Sequence, residues 1–94
     1  MNQWNWISKD SAVLEIFSSH EVAMVAGIRR VGDRWRARVE VAGDIASLVD
    51  GCYSPKQAAR IALNEAVRVA DDMLTAARSA VGTKLPPIPE EVKP

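Results

Sequence analysis

The chain has 94 residues, of which 48% are hydrophobic and 26% are charged. A chain of this length buries enough apolar surface for one core but not for two, so we expect a single soluble domain over residues 1–94. Twelve basic and twelve acidic residues cancel, and a neutral molecule has no strong field to attract nucleic acid or anionic lipid. The single cysteine, Cys52, excludes an intramolecular disulfide and favours a reducing compartment, so we expect a cytoplasmic location.

The domain is predicted to have three parts. Residues 1–11 form a tryptophan-containing arm, residues 12–82 form the folded core, and residues 83–94 form a proline-rich tail. The longest uninterrupted apolar run, Val22–Ile28, is too short to span a bilayer. We therefore expect no membrane partner.

Three strands are predicted at the start of the core. Residues 12–18 and 22–30 are rich in Val, Ile, Leu, Met and Phe, and a short polar loop separates them. Gly32 follows, where it can adopt the positive φ of a second tight turn before the strand at 34–41. These signals predict a three-stranded antiparallel meander. Residues 43–53 contain several turn formers and are predicted to be irregular.

The predicted sheet has one apolar and one arginine-rich face, because side chains alternate across a β-strand. The apolar residues of the three strands are expected to face the core: Leu14, Ile16, Met24, Ile28, Trp35, Val39 and Val41. The residues between them are expected to share an outer face: Val13, Glu15, Phe17, Val25, Arg29, Arg34, Arg36, Arg38 and Glu40.

A long helix is predicted from Pro55 to Val81. Ser54 at the N-cap, Pro55 at the first helical position and Gln57 at the third form a capping-box arrangement. Gly82 has the position of a glycine that ends a helix. Alanines run down the apolar half of the helix, so it can approach the sheet closely. The predicted fold class is therefore α+β, a three-stranded antiparallel β-meander packed against one long C-terminal helix.

The predicted helix is longer than the sheet that it covers. It measures about 40 Å at about 1.5 Å per residue, whereas a nine-residue strand spans about 30 Å. Met73, Leu74 and Ala77 therefore need a cover beyond the sheet. The possible covers are the arm with Trp4 and Trp6, the tail, and a second protomer. A second protomer in this position would form a homodimer through the C-terminal half of the helix.

No catalytic signature accompanies these elements. His20 neighbours two serines and a glutamate in a predicted hairpin turn, where adjacency does not create the geometry of a triad. Cys52 is expected to be a small buried hydrophobe. The chain has no phosphate-binding loop and no zinc-binding spacing. We expect a protein that is not an enzyme, without catalytic, cofactor-binding or metal-binding residues.

The arginine-rich face is the main candidate for a binding surface. Residues 29–38 contain five arginines and one aspartate, a local charge of +4. Alternating arginines on a sheet can enter a DNA major groove, but Glu15 and Glu40 share the face and favour a protein partner. A solvated face with cross-strand ion pairs is the third alternative. The predicted partner-binding residues are Arg29, Arg34, Arg36, Arg38, Phe17, Val25, Trp4 and Trp6.

Two segments carry a resemblance to a known family. The runs Asp33–Val39 and Gly51–Ala58, followed by Ala62 and Ala66, resemble the HicB-like antitoxin domain, where a strand with an aromatic residue leads to a capped, alanine-rich helix. The resemblance implies a partly dsRBD-like ββ(β)α fold, a tendency to oligomerise and a role in neutralising a toxin protein. The chain has 41–45 as Val-Ala-Gly-Asp-Ile where the family has a Pro-Glu-Leu-Pro-Gly type stretch.

Other small proteins are compatible with the same arrangement. A meander followed by a helix is similar to the arm-binding domain of phage integrases, which represents the nucleic-acid alternative. Stand-alone phage-encoded inhibitors of protein targets fit it equally. We therefore expect a small binding protein that neutralises or regulates a protein partner, with nucleic-acid binding as the alternative.

Overall fold

The fold is an antiparallel sheet with one helix on one side. The computed structural model describes residues 3–89, so residues 1–2 of the predicted arm and 90–94 of the predicted tail lie outside the described residues. The elements in chain order are β1 (Asn5–Ser8), β2 (Ser11–Ser18), β3 (Glu21–Val31), β4 (Arg34–Val41), β5 (Asp44–Cys52) and α1 (Pro55–Ala80). The strands are neighbours in that same order. The predicted α+β meander with a C-terminal helix is confirmed, with five strands where the sequence predicted three.

The prediction of an irregular segment over 43–53 is wrong. The predicted turn formers lie near its ends: Gly43, with a φ of 85°, reverses the chain into β5 together with the preceding Ala42, which has a φ of 54°. Gly51, with φ of 80°, lies where the register between β4 and β5 shifts. The residues between these turns are free to pair with β4, and they do so from Asp44 onwards.

The predicted arm also contributes a strand. β1 pairs with the first half of β2, with Trp6 opposite Ala12. Ala12 is buried on the side of the sheet that faces α1. Trp6 therefore lies on the inner side of the sheet, because paired residues in neighbouring strands point to the same face.

The core lies between the inner side of the sheet and α1. Ala58, Ala62 and Ala66 are buried against the sheet, and their small side chains allow the close approach that the sequence predicted. The predicted core face is confirmed: its residues are buried or packed against the buried clusters, namely Leu14, Ile16, Met24, Ile28, Trp35, Val39 and Val41.

The predicted start of the helix at Pro55 is confirmed, and its end at Ala80 lies one residue before the predicted Val81. The Ser54 hydroxyl accepts a hydrogen bond from the Gln57 amide at 3.1 Å. The side chain of Gln57 accepts from the Tyr53 amide at 2.6 Å, one residue before the usual capping-box partner. At the other end, Gly82 has a φ of 93° directly after Val81, which is the left-handed conformation that ends many helices.

α1 covers only part of the sheet and projects beyond it. It contacts β3, β4 and β5 and does not lie over β1 and β2. All of its residues from Ala70 to Ala80 are exposed. The radius of gyration is 17.8 Å, against about 12 Å for a compact domain of this length. The C-terminal part of α1, residues 70–80, therefore extends beyond the sheet as predicted, and we call it the overhang. Nothing in the described chain covers it.

Candidate functional site

The outer face, which is the side of the sheet opposite α1, carries no second layer within residues 3–89. Its side chains form rows across the strands, as the strand register shows. The central row is Val13, Gly27, Arg38 and Leu48. The neighbouring row contains Ser11, Arg29 and Arg36, with Asp50 beside Arg36. The predicted outer position of Arg29, Arg36, Arg38, Phe17 and Val25 follows from this register.

Arg38 is fixed at the centre of the outer face. A Cβ atom on Gly27 would lie 2.7 Å from Cζ of Arg38, so the guanidinium lies directly against the glycine backbone. The Nε atom of Arg38 is 3.8 Å from Oε1 of Glu40, and the side chain is only 24% exposed. Arg38 is therefore part of the surface framework and is poorly placed to extend toward a phosphate.

Two further arginines of the outer face are occupied within the chain. Arg36 donates from Nε to Oδ1 of Asp50 at 2.5 Å. The guanidinium of Arg34 lies 4.5 Å from the centre of the Tyr53 ring, a cation–π contact. The ion pair of Arg36 with Asp50 is of the kind expected for a solvated face, in which acidic residues of the sheet neutralise its arginines.

Arg29 is the most available arginine of the outer face. It is exposed and forms no ion pair with any residue between 3 and 89. It lies opposite Arg36 in the strand register. Arg30, its neighbour in sequence, lies on the inner side and is 3.7 Å from Asp10. The local charge of +4 is therefore divided between two faces of the sheet.

Apolar side chains flank the arginines at two places. Phe17 is 49% exposed and pairs with the exposed Val22 at one end of β2 and β3. Ile45 and Leu48, also exposed, lie on β5 opposite Glu40 and Arg38. The outer face is thus a mixture of charged and apolar groups.

The structure does not bring Trp4 and Trp6 to the outer face. Trp4 is half-buried and packs against the core, and Trp6 is 57% exposed on the inner side. The rings of Trp6 and Trp35 meet edge to face, with centroids 6.1 Å apart. The predicted partner-binding set is therefore split between the two sides of the sheet.

An apolar groove lies on the inner side, where α1 leaves the sheet uncovered. It has a volume of about 490 Å³ and is lined by apolar residues of β2, β3, α1 and the arm: Trp4, Leu14, Ile16, Met24, Leu63, Ala66, Val67 and Ala70. A smaller hollow of about 320 Å³ lies on the other side of Trp4. The sequence did not predict this groove. The one signal for it is that the apolar half of the helix is wider than the strip of residues that contact with one sheet can cover.

A polar contact fixes α1 to β5. The Ser47 hydroxyl donates to Oε1 of Glu65 at 2.6 Å, and Arg68 is 3.0 Å from the same oxygen. The hydrogen bonds from Arg68 and Ser47 lower the pKa of the Glu65 carboxyl. Arg68 also pairs with Asp72 at 3.2 Å, as its position one helical turn away predicts.

The two remaining reactive residues, His20 and Cys52, lie at different ends of the sheet. His20 is exposed in the turn between β2 and β3, and Cys52 is buried, as the sequence predicted. The described residues contain no group of three acidic, histidine or cysteine side chains that could hold a metal ion. None of the helices in the described chain is both long and apolar enough to cross a membrane.

Comparisons with known proteins do not place the chain in a family. No family model, curated protein or solved structure matches it. The resemblances to HicB-like antitoxins and to integrase arm-binding domains stay predictions. A functional proposal therefore depends on the chemistry of the surfaces described above.

Proposed function

We propose that the protein is a non-catalytic binding module that engages a protein partner through the outer face of its sheet. The observation that carries the proposal is the internal pairing of the arginines, shown by Arg36 with Asp50 and Arg38 with Glu40. A face whose charges are already balanced attracts phosphate weakly, whereas fixed arginines beside apolar groups are typical of protein interfaces.

The arrangement of the face indicates the chemistry of the partner. Arg29 has an accessible guanidinium, which suits a carboxylate on the partner. Leu48 and Ile45 on β5 and Phe17 on β2 offer apolar area on either side. The partner surface is expected to combine an acidic residue with apolar side chains.

Neutralisation or regulation of the partner is the biological role that we propose. The resemblance of Asp33–Val39 and Gly51–Ala58 to HicB-like antitoxins supports a toxin protein as the partner, and a phage-type inhibitor acts in the same way on another target. A binding protein of this kind needs no catalytic residue, cofactor or metal ion. We propose that it acts in the cytoplasm.

Affinity capture tests the proposal. Tagged wild-type protein and an Arg29→Glu variant are used to capture proteins from the host, with Arg60→Glu as the matched control because Arg60 is exposed on α1, on the other side of the sheet. The captured protein is then purified and titrated by calorimetry. We expect Arg29→Glu to weaken binding at least about tenfold, since a like charge faces the partner's carboxylate. Equal affinities for the two variants would contradict an outer-face site.

Nucleic-acid binding is the second candidate function. Arg29 and Arg36 lie opposite each other, with Arg34 on the same face, and such a group could hold a phosphate once Asp50 is displaced. Fluorescence anisotropy with duplex and single-stranded DNA at about 50 mM salt tests it, because phosphate contacts are strongest at low salt. Binding that Arg29→Glu abolishes and Arg60→Glu preserves would favour this function over protein recognition.

A further inference from the structure

α1 has a second apolar stripe that the sheet does not use. Its residues follow each other at alternating intervals of four and three and are exposed: Leu63, Val67, Ala70, Leu74 and Ala77, with the exposed C-cap residue Val81 continuing the spacing. This stripe, which we call the seam, lies beside the stripe of Ala62, Ala66 and Val69 that packs on the sheet. The spacing of the seam is the heptad spacing by which two helices pack along their length.

The seam and the inner groove form one continuous apolar surface. Leu63, Val67 and Ala70 line the groove, and Leu74, Ala77 and Val81 extend the seam beyond the sheet. A single helix that is laid along the seam would therefore also reach the groove. Half of this surface belongs to the overhang of α1, which indicates that its occupant approaches from the C-terminal end.

The charges beside the seam select a partner helix and its direction. Asp71 and Arg78 flank the seam one heptad apart on the same side. In an antiparallel pair of identical helices such flanking positions face each other, so Asp71 of each copy meets Arg78 of the other. On the other side the seam is flanked by Ala66, Met73 and Ala80, and a parallel pair would gain no ion pair.

The sizes of the seam residues fit the same register. When Asp71 is opposite Arg78 of the second copy, Leu74 lies opposite Ala77 and Val81 lies opposite Ala70. Each layer then combines one large and one small side chain, which fills the space between the helices evenly. A parallel pair in register would place Ala70 on Ala70 and Ala77 on Ala77, with gaps between larger layers.

We propose that the protein forms a symmetric homodimer in which the overhanging parts of α1 pair antiparallel along the seam. The proposal does not depend on the function of the outer face, because the seam lies on the other side of the sheet. In this dimer the two sheets lie at opposite ends of the helix pair. The overhang, which leaves the isolated chain elongated, becomes the centre of the assembly.

Residues 83–89 of each copy then fill the groove of the other. Val81 lies opposite Ala70 of the second copy, and Ala70 lines the end of that copy's groove, so the turn at Gly82 brings the following residues beside it. Leu85 and Ile88, which are 94% and 62% exposed, provide apolar side chains for it. Leu85 cannot fill the groove of its own chain, because it reaches about 10 Å beyond Gly82 and the groove begins about 18 Å back along the helix.

Sedimentation equilibrium over a range of micromolar concentrations tests the dimer. We expect a mass of twice the 10.3 kDa protomer. Leu74→Glu should raise the dissociation constant at least about 100-fold, since it would bury a charge. Thr75→Glu, exposed on the other side of the helix, should leave the dissociation constant unchanged. Circular dichroism of both variants checks the fold, which Leu74 does not support because it lies beyond the sheet.

A charge exchange tests the direction of the helices. Asp71→Arg should weaken the dimer about tenfold, because two arginines then face each other. Adding Arg78→Asp should restore the wild-type dissociation constant, since the pair is re-formed with opposite polarity. A monomer at all concentrations, or a dimer that Leu74→Glu does not weaken, would overturn the proposal. A dimer that is indifferent to the exchange would overturn the antiparallel register.

Removal of residues 83–94 tests the position of the tail. The shortened chain keeps all of α1 and Gly82, so its fold is expected to be unchanged by circular dichroism. Its dimer should dissociate about tenfold more readily, because the groove of each copy loses Leu85 and Ile88. An unchanged dissociation constant would overturn the assignment of the tail to the groove.

Discussion

Gly27 and Arg38 together determine the shape of the outer face at its centre. The guanidinium of Arg38 lies where any larger residue than glycine would place its Cβ atom. Glycine weakens a strand in general, because it adds flexibility and no packing. Its position in the middle of β3 is explained by the side chain that it accommodates from β4.

A double-mutant cycle tests this pairing. We expect Gly27→Ala to lower the free energy of unfolding by about 1 kcal/mol, because Arg38 is displaced from the backbone and from Glu40. In an Arg38→Ala background the same change should be neutral or stabilising, since alanine is better than glycine in a strand. Urea unfolding of the four proteins gives the coupling energy. A cost of Gly27→Ala that is the same in both backgrounds would show that the two residues act independently.

Residue patterns predicted which side chains face the core, but not how the arginines are paired. Strand alternation placed Trp35 and Val39 inward and Arg36 and Arg38 outward, because that alternation is a local property of the backbone. The ion pair of Arg36 with Asp50 needed a strand that was not predicted. The distribution of charge on the outer face therefore depends on tertiary contacts.

At the scale of elements, α1 was predictable because its signals are local. Ser54, Pro55 and Gln57 mark the start and Gly82 marks the end, each through its own backbone geometry. β1 and β5 were not predicted, since both are edge strands whose backbone is ordered mainly by a neighbouring strand. β5 also contains Ser47, a buried polar residue whose hydroxyl donates a hydrogen bond to Glu65 of the helix.

The hydrogen bonds that Glu65 accepts from Arg68 and Ser47 predict a pH dependence of stability. The pKa of Glu65 is lowered in the folded protein, mainly by the hydrogen bond from Arg68. The ionised Glu65 therefore contributes its full stabilising free energy above the pKa that a glutamate has in the unfolded chain, about 4.3. This free energy is lost as the pH falls through the lower pKa of Glu65 in the folded protein. We expect Glu65→Gln to destabilise the protein at neutral pH and to approach wild-type stability in acid.

Urea unfolding of both proteins from about pH 7 to about pH 3 measures this effect. Glu15→Gln is the matched control, because Glu15 is exposed on the outer face and forms no ion pair with the described residues. The difference between wild type and Glu65→Gln should shrink with falling pH, and at neutral pH it should exceed the difference between wild type and the control. A difference that stays constant across the range would contradict the role of the ionised carboxylate.

On the scale of the whole molecule, the position of α1 on the sheet is the feature that matters most. The helix lies over β3, β4 and β5, which opens a groove over β2 and leaves the overhang uncovered. Amphipathicity of the sequence predicts that a helix packs on a sheet, but it does not determine which strands it covers. The two proposed binding surfaces follow from this position. The outer face is uncovered because α1 lies on the inner side of the sheet, and the seam is uncovered because α1 extends past the sheet.

Separate surfaces predict separate effects of mutation. We expect Leu74→Glu to dissociate the homodimer without changing the affinity of each protomer for its partner. Arg29→Glu should weaken partner binding and leave the dimer mass unchanged, because Arg29 lies on the opposite side of the sheet from the seam. Sedimentation equilibrium and calorimetry on both variants measure the two properties, and the stoichiometry should be one partner per protomer.

The outcome distinguishes two ways in which the overhang of α1 could be covered. If Leu74→Glu abolishes partner binding while Arg29→Glu preserves it, the seam receives the partner's own helix and the outer face is only a solvated surface. If each variant affects only its own property, the seam forms the homodimer and the outer face binds the partner. One partner molecule is then bound at each end of the dimer. Leu74 and Arg29 decide between them because each is exposed and neither is needed for the core.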